Sequence, residues 1–355
     1  MNSRIHFRVL EKRRETSDTV SLVLQGIEGP VDYKAGQFLT LLLEIDGREI
    51  RRSYSFSSCP GIDPYPVITV KRKPNGVAST YLVEKIQPGQ VLAAYPPAGQ
   101  FLLPSWPNGP HQLVMIAGGS GITPVFSLIK SALAHTTAFK VLLIYASRNE
   151  QNLIFGRELL QWLSGYPTRF RTLFLLSTPQ EEPVHREQGG HVEIRPGRLG
   201  NALLEELILE NVPAGQPADF YLCGPPGLLL KSEMTLRFMG YDAARIHKEV
   251  FIITHPFRPP SELFPSGTVT LFRGKERISF PIEAGQTILE AAESTGLELP
   301  HSCRSGICTS CTARCRAGEV MMYLPDGPLS SAATKGVIQT CVGYPLTEHT
   351  EISLD

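Results

Sequence analysis

Cys303, Cys308, Cys311 and Cys341 form a C-x4-C-x2-C-x29-C pattern near the end of the chain, the ligand spacing of a 2Fe-2S cluster. Each iron of such a cluster needs two thiolates. A short loop can bring three of them, and a distant strand must bring the fourth. Gly306 permits the tight turn, while Ser302, Ser305, Thr309 and Ser310 are small enough for backbone N–H groups to approach the sulfurs and offset their charge. A zinc knuckle pairs cysteines at x2–4 spacing in two pairs, and no second C-x2-C or H-x3-H follows. Cys315 competes for the fourth ligand position, because C-x2-C-x3-C echoes a four-iron pattern. That pattern starts with x2 and ends in Cys-Pro, whereas Arg316 follows here. The spacing favours Cys341 as the ligand and leaves Cys315 as a strand thiol facing a core.

Two further groups of residues suit nucleotide chemistry. Arg52-Ser53-Tyr54-Ser55, then Lys71-Arg72-Lys73 and Gly76-Val77-Ala78-Ser79-Thr80, offer a flat aromatic, cations and a helix start. Those are the needs of a flavin ring and its phosphates. An edge strand with a solvated basic face reads equally well at this stage. Farther on, an apolar strand runs into Gly118-Gly119-Ser120-Gly121-Ile122-Thr123-Pro124. Thr123 suits an N-cap and Pro124 a first helical position, so the helix would aim donors and dipole at a pyrophosphate drawn close by the glycines. The plain alternative is a tight strand-to-helix turn. Ser147 and Arg148 lie where an adenosine ribose would sit, and they lean toward a 2′-phosphate and hence NADPH, with NADH possible. Arg148 could instead stack on adenine or pair with Glu150. Cys223-Gly224-Pro225-Pro226-Gly227 falls at a strand's carboxyl end, where Cys223 is either a core thiol or part of a nicotinamide pocket.

These groups must be positioned by more than one core, since 355 residues suggest two or three domains. Residues 1–105 alternate in short strand-like runs with one helical stretch around Ser79–Ile86, predicting an antiparallel β-barrel. Residues 106–252 switch to strand, turn and helix, predicting a doubly wound α/β domain. Residues 253–266 carry four prolines and read as a stiff linker. Residues 267–355 read as a β-grasp sheet crossed by one helix, so the fold class is multidomain. The 34 basic and 34 acidic residues cancel, which removes the electrostatic footprint of nucleic-acid binding. No stretch approaches the ~20 apolar residues of a membrane span, and the first residues lack a signal-peptide core. Isolated Cys59 and Cys223 imply no disulfide framework, so a cytoplasmic location is expected.

Taken together, R-x-Y-S, G-G-S-G-I-T-P, C-G-P-P and the cysteine spacing resemble the ferredoxin-NADP reductase superfamily fused to a plant-type 2Fe-2S ferredoxin domain. The domain order is similar to that of the reductase component of phenylacetyl-CoA epoxidase and related oxygenase reductases. The resemblance implies FAD, NADPH and a 2Fe-2S cluster as cofactors. Arg52 would hold the flavin pyrophosphate, Tyr54 would lie on the isoalloxazine and Ser55 would reach N5. Lys71 and the run Gly76, Val77, Ala78 and Ser79 would serve the phosphates, and Gly-Val-Ala-Ser looks like the FAD version of that run. Gly118, Gly119, Gly121 and Pro124 would cradle NAD(P)H with Ser147, Arg148 and Gly224, while Thr123 and Cys223 flank the nicotinamide. Glu249 and Phe251, in a segment like the E-x-aromatic ending of plant-type reductases, would approach the flavin, making Ser55, Cys223 and Glu249 the catalytic set. The implied activity is NAD(P)H-dependent electron transfer to a partner oxygenase or hydroxylase. A reductase for a separate ferredoxin or cytochrome, and a non-catalytic iron-sulfur redox sensor, are the competing expectations.

Overall fold

A computed structural model describes residues 4–104, 110–135, 138–180, 192–251, 259–301, 304, 306, 311–324, 327–328 and 336–354. The chain forms two compact units, one over Ser3–Ile252 and one over Ile253–Asp355.

The first unit opens with β1 (Ile5–Thr16), β2 (Thr19–Gly26), β3 (Phe38–Ile45), β4 (Arg48–Ser55), β5 (Val67–Lys71), a helical turn α1 (Val77–Thr80) and β6 (Val91–Ala94). The six strands pair antiparallel in the order β4-β3-β6-β1-β2-β5. Beyond β4 the chain returns to β5: Phe56 bridges Ile68, and the Ser57 N–H donates to Val67 C=O at 2.8 Å. The two ends of the sheet thereby meet, giving the expected barrel. Alternate residues point inward, so Val20, Leu22 and Leu24 of β2 and Leu39, Leu41 and Leu43 of β3 fill it.

The second half of the unit contains β7 (His111–Gly118), α2 (Ile122–His135), β8 (Phe139–Ser147), α3 (Gly156–Gly165), β9 (Phe170–Leu176), β10 (Val192–Pro196), α4 (Asn201–Asn211), β11 (Ala218–Cys223), α5 (Pro226–Phe238) and β12 (Ile246–Glu249). The strands are all parallel in the order β10-β9-β8-β7-β11-β12. Helices α2 and α3 pack on one face and α4 and α5 on the other, which is why β7 and β8 are apolar on both faces. The chain runs outward from β7 and then returns to β11. Their carboxyl ends therefore diverge at a topological switch point, where such sheets bind ligands. Polar contacts and a shared core fix barrel to sheet. The Ser127 hydroxyl donates to Ser58 C=O at 2.5 Å and Lys130 pairs with Asp63 at 2.8 Å.

The second unit has β13 (Gly267–Arg273), β14 (Glu276–Ile282), α6 (Ile288–Ser294), β15 (Thr312–Ala317), β16 (Val320–Leu324), β17 (Gly327–Pro328), β18 (Gly336–Gln339), β19 (Gly343–Pro345) and β20 (His349–Ser353). Its main sheet runs β14-β13-β20-β15-β18, with β13 and β20 parallel and the other neighbours antiparallel. Helix α6 packs on this sheet through Ile288, Leu289, Ala291 and Ala292. It starts at a capping box in which Thr287 accepts from the Glu290 N–H and Glu290 accepts from the Thr287 N–H, each at 3.1 Å. The predicted linker over 253–266 lies in part outside the described residues. Its described end forms one turn at Ser261–Leu263 and buries Phe264 against Tyr344.

Candidate functional site

The first unit assembles its site at the barrel edge and the switch point. Strand β4 presents Arg52 and Tyr54 on one face and Ser55 on the other, because side chains alternate. Burial raises the Tyr54 hydroxyl pKa, against a smaller lowering by the Arg52 cation. Burial lowers the Lys73 ammonium pKa and repulsion from Arg52 lowers it further, so the two cations lie within electrostatic reach of each other. Like charges so placed fit an anion. Next to them the Lys73 N–H donates to Ser79 Oγ, which in turn donates to Gly76 C=O, both at 3.1 Å. A Cβ at Gly76 would lie 2.5 Å from Ser79 Oγ, so glycine keeps this turn open at the start of α1. Lys71 does not join the cation pair; it pairs with Asp18 at 3.6 Å.

Ser55 is buried, and its hydroxyl donates to Glu249 Oε1 at 2.6 Å across 194 residues of sequence. Glu249 is the register partner of Cys223 at the ends of β12 and β11, so the three catalytic candidates meet at one place. Burial lifts the Glu249 carboxyl to about 7, opposed by the Ser55 bond. It also pushes the Cys223 thiol well up, aided by the Glu249 charge. Phe251 packs partly buried on the neighbouring core.

The glycine loop and the Cys223 turn are pressed together. A Cβ at Gly121 would lie 2.1 Å from Cys223 O, and one at Gly118 would lie 2.6 Å from Pro225 Cδ. Gly119 has φ +55. Such a bare cradle of backbone fits a phosphate-bearing nucleotide. Thr123 departs from the expected N-cap. The glycines wind on as a 3-10 turn, Gly119–Gly121, and α2 follows without a break. Thr123 therefore sits inside the first turn, where its hydroxyl donates to Ser120 C=O at 2.9 Å, and Pro124 follows it there. At the end of β8 the Ser147 hydroxyl donates to Asn152 C=O at 3.1 Å, and Arg148 is exposed. Tyr145 was missed by sequence reasoning. Its hydroxyl donates to Gly119 C=O and accepts from the Ile154 N–H, both at 3.2 Å, which holds the glycine loop. A tyrosine in an otherwise apolar buried strand is itself the signal, since a buried hydroxyl needs a partner.

In the second unit, Cys303 and Cys308 lie outside the described residues. Cys311 and Cys341 are buried with their sulfurs 3.1 Å apart. Thr340 accounts for their approach: its N–H and hydroxyl both donate to Cys311 C=O, at 3.0 and 3.2 Å, while its own C=O accepts from Leu289 N–H of α6 at 3.0 Å. Two adjacent buried thiols on separate segments are a donor set that fits iron. Cys315 is buried on β15, in register with Ile352 of β20, and Ala317 C=O and Gly318 C=O lie 3.6 and 3.7 Å from its sulfur. Arg304 has φ +56, a left-handed residue beside Gly306 at φ +75. It is held by a two-pronged ion pair with Glu293 of α6 and by a 3.0 Å bond to His301 Nε2. Since Leu299 C=O can only accept, His301 Nδ1 donates to it at 3.0 Å.

Comparison with known proteins agrees with this geometry. Residues 6–102 match the oxidoreductase FAD-binding domain, 115–232 the oxidoreductase NAD-binding domain and 272–346 the 2Fe-2S iron-sulfur cluster binding domain. The chain is 31% identical over 356 residues to the ferredoxin reductase component of 3-ketosteroid-9-alpha-monooxygenase from Rhodococcus rhodochrous, covering 97% of this chain and 94% of that protein. The fold is shared with phthalate dioxygenase reductase, with a TM-score of 0.58 at 21% identity over 99% and 98% of the two chains. It also matches 41% of the length of an intact type IV self-sufficient cytochrome P450 monooxygenase, with a TM-score of 0.71 at 21% identity over 98% of this chain.

Proposed function

The chain belongs to the FAD- and 2Fe-2S-containing ferredoxin reductase components of oxygenases, and from that membership we propose how its residues divide the work of moving electrons from NAD(P)H to an oxygenase partner. A flavin bound here would supply the conversion between the two-electron hydride chemistry of nicotinamide and the one-electron chemistry of a 2Fe-2S cluster. In this reading residues 1–105 hold FAD, 106–252 hold the nucleotide, 253–266 connect, and 267–355 hold the cluster.

Arg52 and Lys73 would neutralise the flavin pyrophosphate, Val77, Ala78 and Ser79 beyond Gly76 would offer backbone N–H groups, and Tyr54 would cover one face of the ring. Gly118, Gly119 and Gly121 admit the nucleotide pyrophosphate, and Cys223 with Thr123 walls the nicotinamide. Cys303, Cys308, Cys311 and Cys341 bind iron. Ser55 fixes the carboxyl of Glu249, and the partly buried carboxyl exchanges a proton close to neutral pH. The observation that carries the reading is the 2.6 Å Ser55–Glu249 bond beside Cys223, because it brings the end of a barrel strand to the switch point of the nucleotide sheet. Arg148 at the end of β8 favours NADPH over NADH, by attracting a 2′-phosphate. Among the described residues no helix is long and apolar enough to cross a membrane. A cytoplasmic location suits a chain that needs NAD(P)H and reduced thiols.

The test is an anaerobic titration of the purified protein with NADPH and NADH separately, following flavin and cluster absorbance. Bleaching of both, with tighter half-saturation for NADPH, is expected. A flavin that neither nucleotide reduces would overturn the reading and restore the redox-sensor alternative.

A further inference from the structure

Helix α5 turns an apolar ridge to solvent. Leu230, Met234 and Phe238, spaced i, i+4 and i+8, are 59%, 61% and 87% exposed, although Leu229, Ser232, Thr235 and Leu236 bury its opposite face. Helix α4 lies beside it on the same side of the parallel sheet and exposes Leu209 to 70%. Isolated exposed apolar residues are ordinary, but three along one face of a helix, with a fourth on the neighbouring helix, mark a contact surface.

The charges around this surface are sorted. The ridge on α5 is flanked by Lys231 and Arg237, and its one carboxylate, Glu233, is neutralised by Lys248, while α4 carries Glu205, Glu206 and Glu210 and no cation. Glu206 pairs with Arg195; Lys231, Arg237, Glu205 and Glu210 have no ion-pair partner among the described residues. We propose that this face binds a second copy of the chain, with α4 of each protomer lying on α5 of the other about a two-fold axis that runs between the two helices and parallel to them.

Helical arithmetic supports that symmetry. Both helices begin at the carboxyl edge of the sheet and run antiparallel to its strands, so they are parallel to each other. At ~1.5 Å per residue, Leu209 lies about 12 Å along α4 and Met234 about 12 Å along α5. Glu205 stands at about 6 Å against about 7.5 Å for Lys231, and Glu210 at about 13.5 Å against about 16.5 Å for Arg237. The rotation therefore lays Leu209 on Met234, with Phe238 about 6 Å farther along, while setting Glu205 and Glu210 each near a cation, twice over, as an isologous contact requires. The apolar ridge supplies the attraction. Exposed ion pairs add little to it and instead fix register and choice of partner. With two helices per protomer the contact is modest, and association depends on concentration.

The experiment is sedimentation equilibrium of the cofactor-loaded full chain across a concentration series, with NADPH oxidation by an artificial dye as the check on folding. A monomer–dimer equilibrium is expected. The pair Met234→Asp and Phe238→Asp should weaken it by at least ~10-fold, equivalent to ~1.4 kcal/mol, without loss of dye reduction. Chains carrying Lys231→Glu with Arg237→Glu, and chains carrying Glu205→Lys with Glu210→Lys, should each dimerise poorly alone but pair when mixed. A single-chain mass at every concentration would overturn the proposal. So would a dimer that ignores these substitutions, or ridge variants that change only the response to an oxygenase component.

Discussion

The flavin–nucleotide site and the cluster site are built by opposite strategies. Three of the four cysteines proposed as cluster ligands fall within nine consecutive positions, Cys303 to Cys311, so local sequence would supply most of the coordination. Only Cys341 must be delivered, and Thr340 delivers it by bonding Cys311 C=O twice. The other site has almost no local content. Ser55 and Glu249 are 194 residues apart, and Gly121 reaches Cys223 only because β7 and β11 are neighbours across the switch point. Metal–thiolate bonds are strong and few, so they demand particular residues at particular spacings. Flavin and nucleotide are held by many weak backbone donors, and sheet topology provides these without a fixed spacing.

If this contrast is right, single substitutions should be absolute in one site and graded in the other. Cys341→Ser should abolish the iron-sulfur absorbance while leaving flavin reduction by NADPH intact, and Cys315→Ser should leave the cluster in place. Iron content and the visible spectrum decide the matter, and the reverse pattern would mean that Cys315 is the ligand. Glu249→Gln should slow flavin reduction by roughly 10²-fold and remove a rate inflection near pH 7, read by stopped-flow absorbance. The same carboxyl has a stability signature. Its folded value of about 7 lies above the ordinary 4.5, so the native state holds the extra proton between those pH values. Stability without cofactor should therefore fall as pH rises through that window. Glu249→Gln should be more stable than the parent at pH 8 by on the order of 2 kcal/mol, and not at pH 4. The smallest expected effect is that of Gly121→Ala. Its methyl group would meet Cys223 O at 2.1 Å, so the loops must part and the KM for NADPH should rise roughly tenfold with flavin and cluster content unchanged.

The same contrast governs what the sequence could disclose. The cysteine spacing was readable without any relative, because the constraint is local. The alternating strands of the barrel and the apolar runs of β7, β8, β9 and β11 were readable because burial imprints a period on the chain. Strands β10, β12 and β18 were not read, and each stands at a sheet edge, where one side lacks a neighbour and polar residues are tolerated. The sequence IHKE of β12 carries no strand signal, although it brings Glu249 to the site. Ser55 and Glu249 entered only through the family resemblance, since nothing in either segment encodes their approach. Lys71 shows the limit of reading charge from sequence. This basic residue near the phosphate turn also pairs with Asp18, a neighbour that its sequence position does not announce.

The 194-residue separation of Ser55 and Glu249 also orders events during synthesis. The barrel and most of the parallel sheet are complete before β12 is made, because translation proceeds from the N-terminus and folding follows it. A partly made chain can thus assemble its barrel and its glycine loop while lacking the carboxyl to which Ser55 donates. The acidic residue is the last member of the Ser55–Cys223–Glu249 cluster to be made.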